Sequence, residues 1–386
     1  MDSLHNGVRA LVPERHDPRA VDRLPDGRWA ARYESLDIWR GLAAIGIVLH
    51  HVGSLDFGLS TGRVTIFFLI SGYCIAASAE SCMRRGISAG QFFWRRFHRI
   101  FPPYLLALLF WAVTRAIKIA SGGPNDLDRS VLDWVQNITL TQWVSLLFNP
   151  QHHPGDNKTL FVAAFWSLCY EEQFYMVMTA FVGLVLAFPK TRMWALILMP
   201  LPLTIAWGMA FPTLVYGVFW EFWMSFGLGA LVYYRLSVFS TARLRWAVDL
   251  LLISVIVFST IGWSMDERVV GAARSKWNEW LIAGTGGFAL VLLRPLDRFV
   301  AGWAFLMPLR FVGRITYSLY LIHQFNITLV QSVVNAVLPA SVREYSGVSL
   351  FFQVLGHIAL ATVFWFFCEL PFYNKRVDKP AKAAQL

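Results

Sequence analysis

Apolar residues run along this chain in long blocks, not in the one-on, one-off alternation of half-buried strands. A helix that crosses a bilayer's hydrocarbon needs about 20 residues of this character. Blocks on that scale centre on 36–53, 64–79, 102–119, 161–188, 193–210, 215–234, 247–263, 280–293, 315–338 and 348–368. The pattern predicts an all-α integral membrane protein, a bundle of about ten transmembrane helices. Residues 1–32 are Arg- and Asp-rich with no apolar run, and read as a solvated cytoplasmic tail with no cleavable signal peptide. Residues 33–373 form the membrane domain, and 374–386 a second cytoplasmic tail. The longest external connection, about 120–160, carries Asn125, Asp126, Asp128, Asp133, Trp134, Trp143, His152, His153 and Asp156. It either recognises a polar molecule or folds over the bundle.

Charge tests the count. With the amino terminus in the cytoplasm, 25 of the 34 Lys and Arg fall in inside loops and tails. The outside set is Arg63, Arg115, Lys118, Arg129, Lys158, Arg268, Arg274, Lys276 and Arg343. That alternation favours both termini in the cytoplasm. Composition agrees: 56% of residues are apolar and only 15% charged, and 31 Phe with 17 Trp exceed what one water-facing core uses, which excludes a soluble enzyme. In such a chain the net charge of +10 reports orientation, and no nucleic-acid partner is expected. Cys74, Cys82, Cys169 and Cys368 lack paired spacing and read as reduced small residues, with no metal site.

Ionisable side chains at membrane depth cost free energy and are functional candidates by default. Arg40 and His51 share one stripe of the first helix, since eleven residues bring the second about 20° past three full turns and about 16.5 Å along the axis. His50 points about 100° away. The bland alternative makes Arg40 a snorkelling anchor and His51 an interfacial histidine. In the fourth helix Glu171 and Glu172 are adjacent among Trp166, Tyr170, Gln173 and Tyr175, so at least one faces the bundle interior, either orienting a histidine or pairing structurally with Arg115, Arg96 or a tyrosine. The ninth carries Tyr317, Ser318, Tyr320, His323, Gln324 and Asn326, with His323 either a packing or a functional group. The loop FFWRRFHRIFPPY gathers Arg95, Arg96, His98 and Arg99 before a span, as an inside charge cluster or a seat for phosphates. Nucleotide-binding Gly-rich loops and HExxH or CxxC metal spacings are missing. The His51/Asp56 spacing matches a glycerolipid-acyltransferase pattern but has no downstream companion motif, and the sequons at Asn137, Asn157 and Asn326 carry no weight.

Six segments in this order resemble the acyltransferase-3 family of integral membrane O-acyltransferases: Arg40 with His51, FFLISGY at 67–73, RRFHRIFPPY at 95–104, WSLCYEEQFY at 166–175, YSLYLIHQ at 317–324, and Glu369 before Pro371. The resemblance covers about 33–373 and implies transfer of an acyl group, commonly acetyl, from cytoplasmic acyl-CoA to a hydroxyl of an extracytoplasmic or lipid-linked sugar. It implies no tightly bound cofactor, acyl-CoA (acetyl-CoA) as co-substrate, and a bacterial inner membrane. On it, His51 is the catalytic histidine, a base on the acceptor hydroxyl. Arg40 holds the donor, and Glu172, ahead of Glu171, orients histidine or acceptor. Arg95, Arg96 and Arg99 become donor contacts, with Ser71 and Tyr73 in the donor pocket. Trp166, Tyr175, Tyr320 and His323 become acceptor contacts. Two departures are the doubled His50–His51, where the spacing selects His51, and the lack of a following esterase-like domain, so that no second catalytic centre is expected in this chain. Direct transfer and an acyl-enzyme route both fit. The alternatives are a transporter or flippase of a polar or lipid-linked substrate, since buried Arg, His and Glu also line transport paths, and a non-catalytic sensor.

Overall fold

The computed structural model describes residues 28–29, 33–53, 60–148, 160–189, 197–198, 200–210, 217–265, 273–339, 341 and 346–372. Asp56, His152, His153, Asp156 and nearly all of both tails lie outside them. Among the described residues the regular elements are helices: α1 Leu36–Gly53, α2 Ser60–Arg84, α3 Ala89–Ala120, α4 Val131–Thr139, α5 Gln142–Phe148, α6 Trp166–Ala187, α7 Leu201–Ala210, α8 Trp223–Ser237, α9 Ala242–Ser264, α10 Ala273–Leu293, α11 Asp297–Gly302, α12 Met307–Arg314, α13 Thr316–Ile322, α14 Ile327–Val337 and α15 Ser346–Phe364. Among the described residues, five helical stretches are long and apolar enough to cross a membrane: Val64–Arg84, Ala89–Ala120, Ala242–Ser264, Lys276–Gly302 and Gly347–Phe372.

Two apolar cores lie side by side. One joins α2, α8, α9 and α10 around Phe68, Phe226, Trp223 and Leu252. The other joins α1, α3, α13 and α15 around Val48, Tyr104, Leu319 and Phe364. Helix α6 belongs to both, giving Tyr170, Phe174 and Met178 to the first and Leu168 and Cys169 to the second. The seam between the cores is where polar side chains collect.

Two backbone contacts set that seam. A Cβ on Gly72 would lie 1.9 Å from the Phe226 carbonyl oxygen, and one on Gly229 1.8 Å from that of Leu69, so α2 and α8 touch through bare backbone. Gly41 and Gly313 do the same for α1 and α12. The start of α1 is fixed from across the chain. Asp297 accepts from the Glu34 and Ser35 backbone N–H groups at 2.9 and 2.7 Å, and is itself held by buried Arg294 at 2.5 Å. A carboxylate at a helix N-terminus satisfies orphan donors and opposes the helix dipole.

Two expectations change. RRFHRIFPPY is not a loop: it lies inside α3, whose capping box between Ser88 and Gln91 starts the helix at Ala89 and carries it through Pro102 and Pro103. At about 48 Å, α3 outruns the roughly 30 Å of hydrocarbon, so its basic first turns stand at the membrane edge while remaining helical. The ninth block is not one helix. It breaks after Ile322, passes through a tight turn at Gln324–Asn326 and resumes as α14. His323 Nδ1 donates to the Tyr320 carbonyl at 2.8 Å and Asn326 Nδ2 to that of Ile322 at 2.9 Å, taking up acceptors that the break frees. The connection between α3 and α6, left open above between recognition and folding over the bundle, packs on the bundle in its described part. Trp134 lies edge-on to Phe161, Gln142 and the Phe161 N–H bond Asn137 Oδ1, and Cys169 Sγ meets Gln142.

Gly229→Ala forces α2 and α8 apart. It is expected to cost about 1–3 kcal/mol, seen as a lowered Tm of the detergent-solubilised protein. Gly90→Ala, where a Cβ meets nothing within 4 Å, leaves Tm unchanged.

Candidate active site

A cavity of about 280 Å³ opens at the seam of the two cores, between α1, α2, α3, α6 and α13. Each helix presents one stripe to it. Helix α1 gives Arg40 and Ile47, and α2 gives Phe67, Ser71 and Cys74 at helical spacing. Helix α3 gives Arg96 and Arg99, α6 gives Ser167, Glu171 and Tyr175 at successive i, i+4 positions, and α13 gives Thr316, Tyr317 and Tyr320.

The electrostatics are lopsided: three guanidinium groups and one carboxylate line the space. Glu171 Oε1 accepts from Tyr175 OH at 2.5 Å and from Ser71 Oγ at 3.2 Å, which fixes its head against α2. Arg40 lies 3.6 Å from Asp37, one turn back on α1. Arg96 sits over the Phe92 ring, one turn back on α3. An excess of guanidinium around a concave polar space is suited to phosphate, whose oxygens match the fork of Arg donors.

The histidines stand past the other end of this cavity. His51 lies further along the Arg40 stripe of α1, its ring centroid 5.1 Å from that of His323 on the broken segment. Because Nδ1 of His323 donates to a carbonyl, Nε2 carries its lone pair, and that atom is buried with no hydrogen-bond partner among the described residues. A void of about 10 Å³, room for about one water, reaches His323 past Ala44, Ile47, Phe67 and Tyr320. Ile47, Phe67 and Tyr320 line both spaces and form the constriction between them. Tyr320 is itself pinned, with its hydroxyl 2.8 Å from Ser167 Oγ and bonded to the Ala164 carbonyl.

Of the residues singled out from sequence, Arg40, Ser71, Arg96, Arg99, Glu171, Tyr175 and Tyr320 meet in the large cavity, and His51 and His323 meet beside its narrow end. Tyr317 lines it too, bonding the Ile100 carbonyl at 2.9 Å, whereas the remaining candidates do not. Tyr73, two positions from Ser71 and so on the opposite face of α2, is buried against Tyr33 and Tyr233. Trp166 packs on Phe68, Tyr170 and Phe222 in the first core. Arg95 is half-buried away from the cavity. Glu172 turns from the lining, and its Oε2 is buried with no hydrogen-bond partner among the described residues. Glu369 bonds Ser318 Oγ at 2.5 Å in the second core. Sequence reasoning passed over Ile47, Phe67, Cys74 and Ser167. The signal for them was their helical spacing from Arg40, Ser71 and Glu171. No group of three or more metal-ligating side chains occurs among the described residues.

A family model described as "Acyltransferase domain" matches residues 33–370. A curated relative, the peptidoglycan O-acetyltransferase OatA of Listeria monocytogenes, is 28% identical over 170 residues, 42% of this chain and 26% of that protein. A protein of Komagataeibacter xylinus named as a candidate membrane-bound transacylase, BcsY, is 27% identical over 306 residues, 76% of this chain and 72% of that one. Protein 2 in the picA locus of Rhizobium radiobacter is 34% identical over 101 residues, 25% of this chain and 53% of that one. The chain thus spans about a quarter of the Listeria relative and somewhat over half of the Rhizobium one. No solved structure matches.

The cavity lining predicts thiol reactivity. Cys74 faces the cavity while Cys82 and Cys169 are buried. In a Cys368→Ser background, a polar maleimide is expected to label the folded protein once, as counted by intact mass. Cys74→Ser abolishes that label, and Ser71→Trp, which fills the space, slows it.

Proposed function

Because the chain belongs to the acyltransferase-3 family, we propose that it is a membrane-embedded O-acyltransferase moving an acyl group, most simply acetyl, from cytoplasmic acyl-CoA to a hydroxyl of a sugar in a cell-surface or secreted glycan. The observation that carries this reading is the pairing of an arginine-lined cavity with a histidine pair at its narrow end, the two joined by the Arg40–His51 stripe of α1. The proposed setting is a bacterial inner membrane, with about ten spans and both termini cytoplasmic. The 25-to-9 distribution of Lys and Arg supports that orientation. It puts Arg96 and Arg99 at the side where acyl-CoA is made and His51 towards the other.

In this mechanism Arg40, Arg96 and Arg99 hold the CoA phosphates, and the thioester arm enters the cavity. To reach His51 the acyl end passes Ile47, Phe67 and Tyr320, so those side chains part when the donor is seated. His51 removes the proton of the acceptor hydroxyl as its oxygen bonds to the thioester carbonyl carbon. The carbon–sulfur bond breaks, and CoA leaves as a thiolate that takes the proton from the imidazolium. The products are a sugar ester and free CoA. His323 positions His51, its own ring held by the Tyr320 carbonyl. Glu171, anchored by Tyr175 and Ser71, holds the cavity's one negative charge opposite the arginines and sets the depth to which the donor's anionic groups enter.

Loss of a general base costs about 10²–10⁴-fold in rate. His51→Ala is therefore expected to abolish the incorporation of labelled acetate into extracted surface glycans while the protein stays at its normal level in the membrane. Unchanged labelling would overturn the role of His51, and an unaltered glycan profile in a deletion strain would turn the reading towards transport. Glu171→Gln removes a charged acceptor of two hydrogen bonds and is expected to lower the rate by about 10–100-fold. Glu172→Gln, outside the cavity, falls by less than about threefold.

A further inference from the structure

A second cavity, of about 270 Å³, lies towards the other end of α3 and has no part in the mechanism above. Its lining includes Trp111, Arg115, Asp126, Arg129, Phe161 and Gln324. Arg99 in the first cavity and Arg115 in the second are separated by about 24 Å of helical rise, so one helix carries a basic site near each end.

The wall between the two cavities is thin. It consists of the turn Ala163–Phe165 and the break in the ninth segment. Ala164 N–H donates to Gln324 Oε1 at 2.6 Å, and its carbonyl accepts from Tyr320 OH. Tyr320 and Ser167 face the first cavity, while Ala163 and Gln324 face the second. Gln324 follows His323 directly, so the second cavity ends one residue from the histidine pair.

Its chemistry differs from a packing void. The inner wall is aromatic: Trp111 and Phe161 stack at 4.8 Å and 14°, with Trp134 edge-on to Phe161 at 4.7 Å. The Trp111 Nε1–H is buried with no hydrogen-bond partner among the described residues. The rim is cationic. Arg115 and Lys118 both draw on the single Asp126 carboxylate, at 3.3 and 3.6 Å, and Arg129 Nε donates to the Asp126 backbone carbonyl at 3.3 Å. Two guanidinium groups and one carboxylate line the space, and Lys118 adds a third cation beside it. Gln324 has spent its oxygen on Ala164, which leaves its amide N–H₂ as donor.

The geometry points to this second cavity as the acceptor subsite, taking a saccharide that carries an oxyanion, either the carboxylate of a uronic-acid residue or a phosphate of a lipid-linked sugar. An apolar ring face suits the aromatic wall, and the Arg fork suits a carboxylate or phosphate. This assignment rests on the acyltransferase reading and deepens it by naming the acceptor's charge.

The test uses the full-length protein in proteoliposomes and measures binding of tritiated probes, with acetyl-CoA binding determined in the same samples. The probes are a glucuronate-containing disaccharide, its carboxyl-reduced neutral counterpart, and a polyprenyl-diphosphate-linked disaccharide. At least one anionic probe is expected to bind about tenfold or more tightly than the neutral one, and which one wins names the source of the charge. Arg115→Gln and Arg129→Gln each weaken that probe by about tenfold and erase the preference. Asp126→Asn removes the competing carboxylate and tightens binding, a gain that misfolding does not mimic. Equal binding of anionic and neutral probes, or no change in Asp126→Asn and both arginine variants, overturns this inference alone where acetyl-CoA still binds. Failure of the wild type to bind acetyl-CoA removes the acyltransferase reading and this inference with it.

Discussion

The cost of placing charge at membrane depth is the constraint on which the rest of this structure depends. A charged side chain in hydrocarbon loses several kcal/mol unless it is paired, hydrogen-bonded or set in a polar cavity. The chain meets that cost in two ways. Some charges are locked in short direct contacts: Arg294 with Asp297, Arg235 with Asp249, and Lys276 between Glu221 and Glu279 at 3.2 Å each, with Ser225 on Glu279 and Lys276 over the Phe222 ring. Arg235 with Asp249 and Lys276 with Glu221 tie separate segments to one another, whereas Arg294–Asp297 and Lys276–Glu279 are local pairs three residues apart. The second set, Arg40, Arg96, Arg99 and Glu171, is gathered around open space. Buried ion pairs are weak stabilisers, because attraction has to repay desolvation, so the first set is best understood as fixing register. The second set gives little to register and reads as binding machinery.

Register in turn places the cavity. Helix α2 touches α8 through bare backbone at Gly72 and Gly229, and α1 touches α12 at Gly41 and Gly313. A helix clamped on one face by backbone contact has its opposite face set in depth and rotation. On α2 that opposite face carries Phe67, Ser71 and Cys74. On α1 the face about 100° round from Gly41 carries Arg40 and Ile47, with Asp297 fixing where the helix begins. Helix α6, shared by both cores, closes the seam with Ser167, Glu171 and Tyr175.

Much of this was legible from helical periodicity, and the parts that were not share one cause. The Arg40–His51 spacing read correctly as one stripe because α1 is a regular helix along its whole length. The same wheel separates the two glutamates: Glu171 lies one turn from Ser167 and from Tyr175 on the polar stripe, whereas Glu172 shares a face with Leu168 and Cys169. It also separates Ser71 from Tyr73. Where the helix is irregular, periodicity loses its hold. The Ile315–Leu338 block is apolar enough to read as one span, yet it breaks at His323 because His323 and Asn326 supply side-chain donors for the freed carbonyls. The segment FFWRRFHRIFPPY reads as loop, yet a capping box that begins at Ser88, fourteen residues upstream of Pro102, had already committed it to helix. Both misreadings turn on hydrogen bonds from single polar side chains, which a count of apolar residues does not register. The second cavity was illegible for another reason. It joins residues of α3, the external connection and the ninth segment, and only tertiary packing brings those together.

The break at His323 lets polar space approach from both ends of the bundle without joining. A continuous water-filled passage through a membrane bundle would let ions leak, so polar spaces that approach from two ends need a partition at rest. Here the turn Ala163–Phe165 and the break at His323 part the two cavities, while Ile47, Phe67 and Tyr320 close the first cavity off from the histidines, leaving room for about one water. An unbroken ninth helix would have kept His323 and Gln324 on different faces of one rod, about 100° apart. The tight turn instead lets one residue face the histidine of α1 while the next bonds the turn that walls the outer space. In a bilayer such a break costs free energy unless every released backbone group finds a partner. His323 meets this cost through Nδ1 while its ring stays 5.1 Å from that of His51, so one imidazole serves both the break and the histidine pair.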